Sequence, residues 1–259
     1  MNSLRVFYSA VLFFVVLSLT GQGVPVNRYF GIDIANDFFY LPKKTDRYFS
    51  SGLAVEYGYW LPKEMAAENR DQPFARHYWR LQQNIYTPED ITSSVLVRGD
   101  RPFSSYLVLS RGKDFFDENR GLRLETEWIA GVLGKYSLGG KVQNAYHKIV
   151  GFAESGPGWD YEVKTDVIIN YRLRLSRELV ESTRLRISPR AEARLGTLYT
   201  DVSAGLNVNL VAIKLAPERQ LRLAASGDAR LVGYDATLSG GLLNRDDRYR
   251  GVVLSLIHI

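Results

Sequence analysis

Leu53-Ala54-Val55-Glu56-Tyr57-Gly58-Tyr59 alternates without a break: the odd positions are apolar or aromatic, and Ala54, Glu56 and Gly58 share the opposite face. A strand with hydrocarbon on one side and a polar lumen on the other demands that period. The same alternation returns in Trp79-Arg80-Leu81-Gln82-Gln83-Asn84-Ile85, in residues 167–175, in Leu185-Arg186-Ile187, in Ala191-Glu192-Ala193-Arg194-Leu195 and in Leu221-Arg222-Leu223. About ten such segments are expected, separated by turns at Leu61-Pro62, Arg111-Gly112-Lys113 and Ala216-Pro217-Glu218-Arg219. The fold class that follows is all-β, an antiparallel transmembrane β-barrel. Alternation alone also suits a soluble sandwich or a lipocalin-like barrel.

Composition narrows the choice. The chain is 46% hydrophobic with 16 Tyr, 12 Phe and 22 Gly, too apolar for disorder. Beyond residue 19 it has no long unbroken apolar run, so a barrel is the way left to cross a bilayer. Tyr29, Phe30, Tyr48, Phe49, Tyr86, Phe103 and Tyr106 fall near inferred strand ends, where amphipathic rings suit the headgroup level. The net charge of +5 comes largely from arginines at alternate positions, such as Arg172 and Arg174, pointing into the lumen or towards the rims. They follow the strand period and no nucleic-acid motif appears, so nucleic acid is not the expected partner. Phosphates of an anionic lipid fit basic side chains better. No cysteine is present, so stability must come from backbone pairing and burial.

Residues 1–23 read as a secretory signal: a basic start ending at Arg5, an apolar run from Val6 to Leu19, and small residues at Gly21 and Gly23. Residues 24–253 form the expected barrel, with the active site at its mouth. Leu254-Ser255-Leu256-Ile257-His258-Ile259 resembles one reading frame of a sequencing-transposon adapter. These six residues are therefore expected to be non-native, with the natural chain running on past Val253 and closing strands missing here.

The polar residues that carry chemistry gather in two places. His147 is one of only three histidines, and a neutral imidazole can take a proton from water as a general base. Asn36 and Asp37 close the first strand, with Asp37 on the lumen parity of Gly31, Asp33 and Ala35. A carboxylate there can ligate a cation without facing hydrocarbon. Ser50 shares parity with Ala54 and Glu56; no Gly-x-Ser-x-Gly elbow surrounds it, so it reads as an orienting or substrate-contacting group and not as a nucleophile.

These segments also resemble a known family. Asn36-Asp37 at the end of the first strand, Thr45-Asp46-Arg47-Tyr48-Phe49-Ser50-Ser51-Gly52 opening the second, Asp100-Arg101-Pro102-Phe103, Gln143-Asn144-Ala145-Tyr146-His147, Pro157-Gly158-Trp159-Asp160 and residues 234–241 are, in order and spacing, similar to the outer-membrane lipid A deacylases. The resemblance covers nearly the whole mature chain. It implies a twelve-stranded barrel of the bacterial outer membrane, acting as a monomer on lipopolysaccharide to hydrolyse the 3′-linked acyloxyacyl chain of lipid A. It implies a catalytic set of His147, Asn36, Asp37, Ser50 and Glu154, with Asp37 and Glu154 sharing Ca²⁺. One departure bears on affinity or acyl preference: residues 89–98 are mostly neutral or acidic, where the family carries basic residues. The alternatives are an outer-membrane phospholipase, which would need a serine nucleophile beside its histidine, and a non-catalytic porin-like barrel.

Overall fold

The structure, a computed structural model, describes residues 17–18, 28–36, 48–60, 74–91, 100–117, 119–150, 157–181, 185–216, 219–244 and 253–258. Its strands are β1 (Leu17–Ser18), β2 (Arg28–Asn36), β3 (Ser51–Trp60), β4 (Phe74–Tyr86), β5 (Ser104–Asp117) and β6 (Leu122–Leu133). Helix α1 (Gly139–Val150) follows, then β7 (Asp166–Arg177), β8 (Val180–Glu181), β9 (Leu185–Gly196), β10 (Tyr199–Ala216), β11 (Arg219–Asp235), the short helix α2 (Ala236–Ser239) and β12 (Val253–His258). All pair antiparallel in one 12-stranded sheet, each with its neighbour in sequence, except that β7 pairs directly with β9 and β8 sits beside β9. Among the described residues no ladder joins β1 to β12, and no helix is long and apolar enough to cross a membrane.

The period-2 reading holds along the walls. Leu53 and Tyr57 of β3, Trp79 and Leu81 of β4, Leu109 of β5, Trp128 of β6 and Val167 and Ile169 of β7 are exposed on the outward face. The inward face carries paired charges: Arg80 reaches Asp33 at 2.8 Å and Glu56 at 3.3 Å, Arg123 meets Asp114 at 2.6 Å, Arg172 meets Glu127 at 2.7 Å, and Arg174 meets Glu192 at 2.6 Å. Asp114, Glu127 and Glu192 are nearly buried, and buried charges persist only when paired and hydrogen-bonded. Above this belt the apolar core fills the lumen at the α1 end: Tyr106, Val108, Leu133, Val163, Ile168, Leu198, Tyr199 and Ala236 are buried together. At the other end a cavity of about 680 Å³ opens between Trp60, Arg123, Glu178 and Arg186.

Three expectations from sequence are corrected. Arg111-Gly112-Lys113 is no turn but lies inside β5; Gly112 is there because the Tyr78 ring lies where its Cβ would stand. The segments at 185–187 and 191–195 are one strand, β9, which runs through Pro189. The proline falls between the last β7 partner, at Arg190, and the first β8 partner, at Ile187, so its missing N–H disturbs little pairing on that side. Nor do all the rim aromatics face lipid. Phe30 and Tyr48 are exposed, whereas Phe103 and Tyr106 are buried and Tyr29 donates inward to Glu56.

Candidate functional site

A helix in the connection between β6 and β7 was outside the all-β reading, although its spacing was visible. Gln143 and His147, four residues apart, lie on one helical face, and both are buried at 3% and 4% exposure. The helix is launched by Gly134 (φ 76°) and by Leu138, which adopts a left-handed φ of 64°. That conformation is costly for a non-glycine residue. The second described non-glycine residue of this kind is Tyr48 (φ 72°), two residues before Ser50, so both strained positions flank the same spot.

What α1 covers is the outer wall, not the lumen. Gly139 abuts Ser105 and Ile85, and Gly140 abuts the Trp159 ring. Ile85 and Ser105 belong to the outward rows of β4 and β5, the rows of Leu81 and Leu109. A side chain at Gly139 or Gly140 would lift the helix off, so the two glycines are requirements of close approach. Ser137 pins the entry turn: its hydroxyl pairs with Ser105 Oγ at 2.5 Å, and its carbonyl accepts from Gln83 Nε2 at 2.5 Å.

Ser50 stands where wall and helix meet. Its N–H donates to Ile85 O at 3.0 Å, and its side chain is 4% exposed. Trp159 Nε1 donates to Gln143 Oε1 at 3.0 Å, and Gln143 Nε2 donates to Ser50 Oγ at 3.1 Å. An indole N–H can only donate. It therefore fixes the carboxamide oxygen towards Trp159 and the amide NH₂ towards Ser50, so Ser50 Oγ accepts and its own proton points elsewhere. Trp159 in turn packs on Phe103 at 5.0 Å between ring centroids. Sequence reasoning missed this relay, having used Trp159 and Gln143 only as parts of motifs.

Of the five expected catalytic residues, His147 and Ser50 are brought to this strip. Asn36 ends β2 opposite Ser51, which puts its backbone beside the same edge. Asp37 and Glu154 lie outside the described residues, one residue beyond β2 and four beyond α1. Among the described residues no group of three or more histidines, cysteines or acids could hold a metal.

Glu162, in the turn between Trp159 and β7, adds a titrating group at the rim. Burial pushes its carboxyl up to about 7 against the opposing pull of Lys135, and Oε2 has no hydrogen-bond partner among the described residues. A carboxyl raised above its unfolded value gives stability at low pH that is lost as pH rises through 7. Glu162→Gln should therefore raise the thermal unfolding midpoint more at pH 8 than at pH 5. An equal change at both pH values would contradict the assignment.

A model of the outer membrane protein LpxR family matches residues 6–254. Among solved structures, LpxR from Salmonella typhimurium is similar, with a TM-score of 0.68 at 21% identity over 85% of this chain and 82% of that one; at that identity the likeness shows the fold. A search among curated proteins finds no match.

Proposed function

Because the chain belongs to the outer membrane protein LpxR family, we propose that it is an outer-membrane esterase that removes the 3′-linked acyloxyacyl chain of lipid A. The observation that supports this most is where the polar strip lies. His147, Gln143 and Ser50 are buried under a helix on the lipid-facing wall, while the lumen behind them is filled by apolar side chains and ion pairs. A lipid ester just below its headgroup reaches that wall by lateral diffusion. A solute passing through a pore would not meet it, which disfavours the porin reading.

In this reading His147 is the general base that takes a proton from the attacking water. Ser50 accepts from Gln143 through one of its two lone pairs and, in this reading, offers its O–H to the substrate as a polar contact. Asp37 and Glu154 would hold Ca²⁺, which when bound supplies positive charge for the developing oxyanion, and Asn36 would add its carboxamide to the catalytic set. A phospholipase would instead activate a serine; the hydrogen bond from Gln143 into Ser50 Oγ leaves the Ser50 proton available to a base, so substrate choice and not this contact separates the two readings.

The reading is tested by incubating the purified barrel separately with lipid A and with phosphatidylethanolamine in the presence of Ca²⁺ and identifying the released acids. Release of an acyloxyacyl acid from lipid A alone is expected. Release from the phospholipid would favour the phospholipase, and no release from either would favour the non-catalytic barrel. Trp159→Phe keeps the ring and removes the donor, so Gln143 can turn its oxygen to Ser50. Turnover should fall by about tenfold, the effect of losing roughly one oriented hydrogen bond, with barrel stability nearly unchanged; unaltered kcat would detach the relay from the reaction.

A further inference from the structure

Helix α1 has two solvent-accessible sectors beyond its buried Gly139, Gln143 and His147 strip. Val142, Tyr146 and Ile149 follow one another at spacings of four and three and are 43%, 45% and 83% exposed. Tyr136, in the turn before the helix, is 72% exposed. Lys141 and Lys148, seven residues apart and both exposed, share a second sector on the far side of Asn144 from the buried strip. An apolar stripe, a basic stripe and a buried stripe together are not the pattern of a helix surrounded by water.

Its position supplies the partner. The entry turn of α1 is fastened to Gln83 and Ser105; further along the same outward rows, two residues from Gln83 and four from Ser105, stand Leu81 and Leu109, register partners that are 48% and 47% exposed. Two and four residues of strand span about 7 and about 14 Å, so the apolar stripe of α1 continues the lipid-facing belt of the barrel at its upper edge. The lysines then stand at the level where anionic headgroups carry their phosphates.

We propose that α1 is an interfacial helix seated in the outer leaflet, with Val142, Tyr146 and Ile149 among acyl chains and Lys141 and Lys148 against headgroup phosphates. The helix thereby sets the depth of the His147 strip and presents it sideways to a lipid, without need of the lipid to leave the bilayer. The docking itself rests on the barrel; only its consequence for turnover rests on the esterase reading.

The absence of cysteine makes the test clean. Ile149→Cys and Lys141→Cys, each in the full chain, are labelled with an environment-sensitive dye and folded into vesicles of phosphatidylcholine and phosphatidylglycerol containing acyl-chain nitroxide lipid. The dye at 149 should be blue-shifted and quenched by the nitroxide, and the dye at 141 should remain accessible to aqueous iodide. Equal iodide quenching at both positions, or nitroxide quenching stronger at 141, would overturn the proposal. In parallel, Ile149→Asp should slow hydrolysis of lipid A in vesicles about tenfold while leaving hydrolysis in detergent micelles within about twofold. The expected label pattern with no hydrolysis by any variant would sink the esterase reading and leave the docking standing.

Discussion

Replacing His147 by alanine is expected to lower the rate of lipid A ester hydrolysis by about 10²- to 10⁴-fold, the usual worth of a positioned general base. The barrel should still migrate as a heat-modifiable species. The separation between activity and folding follows from where the residue sits. His147 is carried on α1 and is nearly fully buried, yet α1 is anchored to the wall by contacts elsewhere: Ser137 on Ser105, Gly139 on Ser105 and Ile85, and Gly140 on Trp159. The sheet itself is held by ladders to which the helix contributes nothing. Activity within a few-fold of wild type would remove His147 from the mechanism. Loss of heat-modifiability together with activity would instead make it a structural residue.

Chelation should have the second large effect. The account assigns Ca²⁺ to Asp37 and Glu154, and a hard cation of this kind is bound through carboxylate oxygens. EGTA should silence the enzyme and added Ca²⁺ should restore it. Asp37→Asn keeps an oxygen ligand but loses its charge, so half-maximal activity should require a higher Ca²⁺ concentration, with kcat at saturation affected much less. Glu154→Gln should behave in the same way. Full activity in chelator would leave the oxyanion to protein donors alone. An Asp37→Asn or Glu154→Gln variant with unchanged Ca²⁺ dependence would move the cation to other ligands.

The strands were legible because their physics is local. One face meets hydrocarbon and the other a charged interior, so alternation writes itself into Leu53 to Tyr59 or Val167 to Leu175 whatever the rest of the chain does. Where that rule failed, a neighbour overrode it. Gly112 looks like a turn residue until Tyr78 is placed across from it, and Pro189 looks like a break until the gap between the β7 and β8 ladders is seen. The candidate site was half legible. His147 and Ser50 stood out by chemistry and by family resemblance. The helix between them and lipid did not, because a short 3.6-period segment is easily passed over in a chain read at period 2. The Gln143, Asn144 and His147 spacing and the Val142, Tyr146 and Ile149 stripe carried that signal. The relay from Trp159 was beyond reach, since it joins residues 16 and 93 positions apart that only the packed structure brings together.

The most direct test of the central claim is the mass spectrum of lipid A from cells expressing this protein, compared with cells expressing His147→Ala at equal outer-membrane levels. The account predicts a lipid A species lacking one acyloxyacyl unit at the 3′ position with the wild-type protein, and intact lipid A with the variant. Intact lipid A in both, or the same truncated species in both, would contradict it.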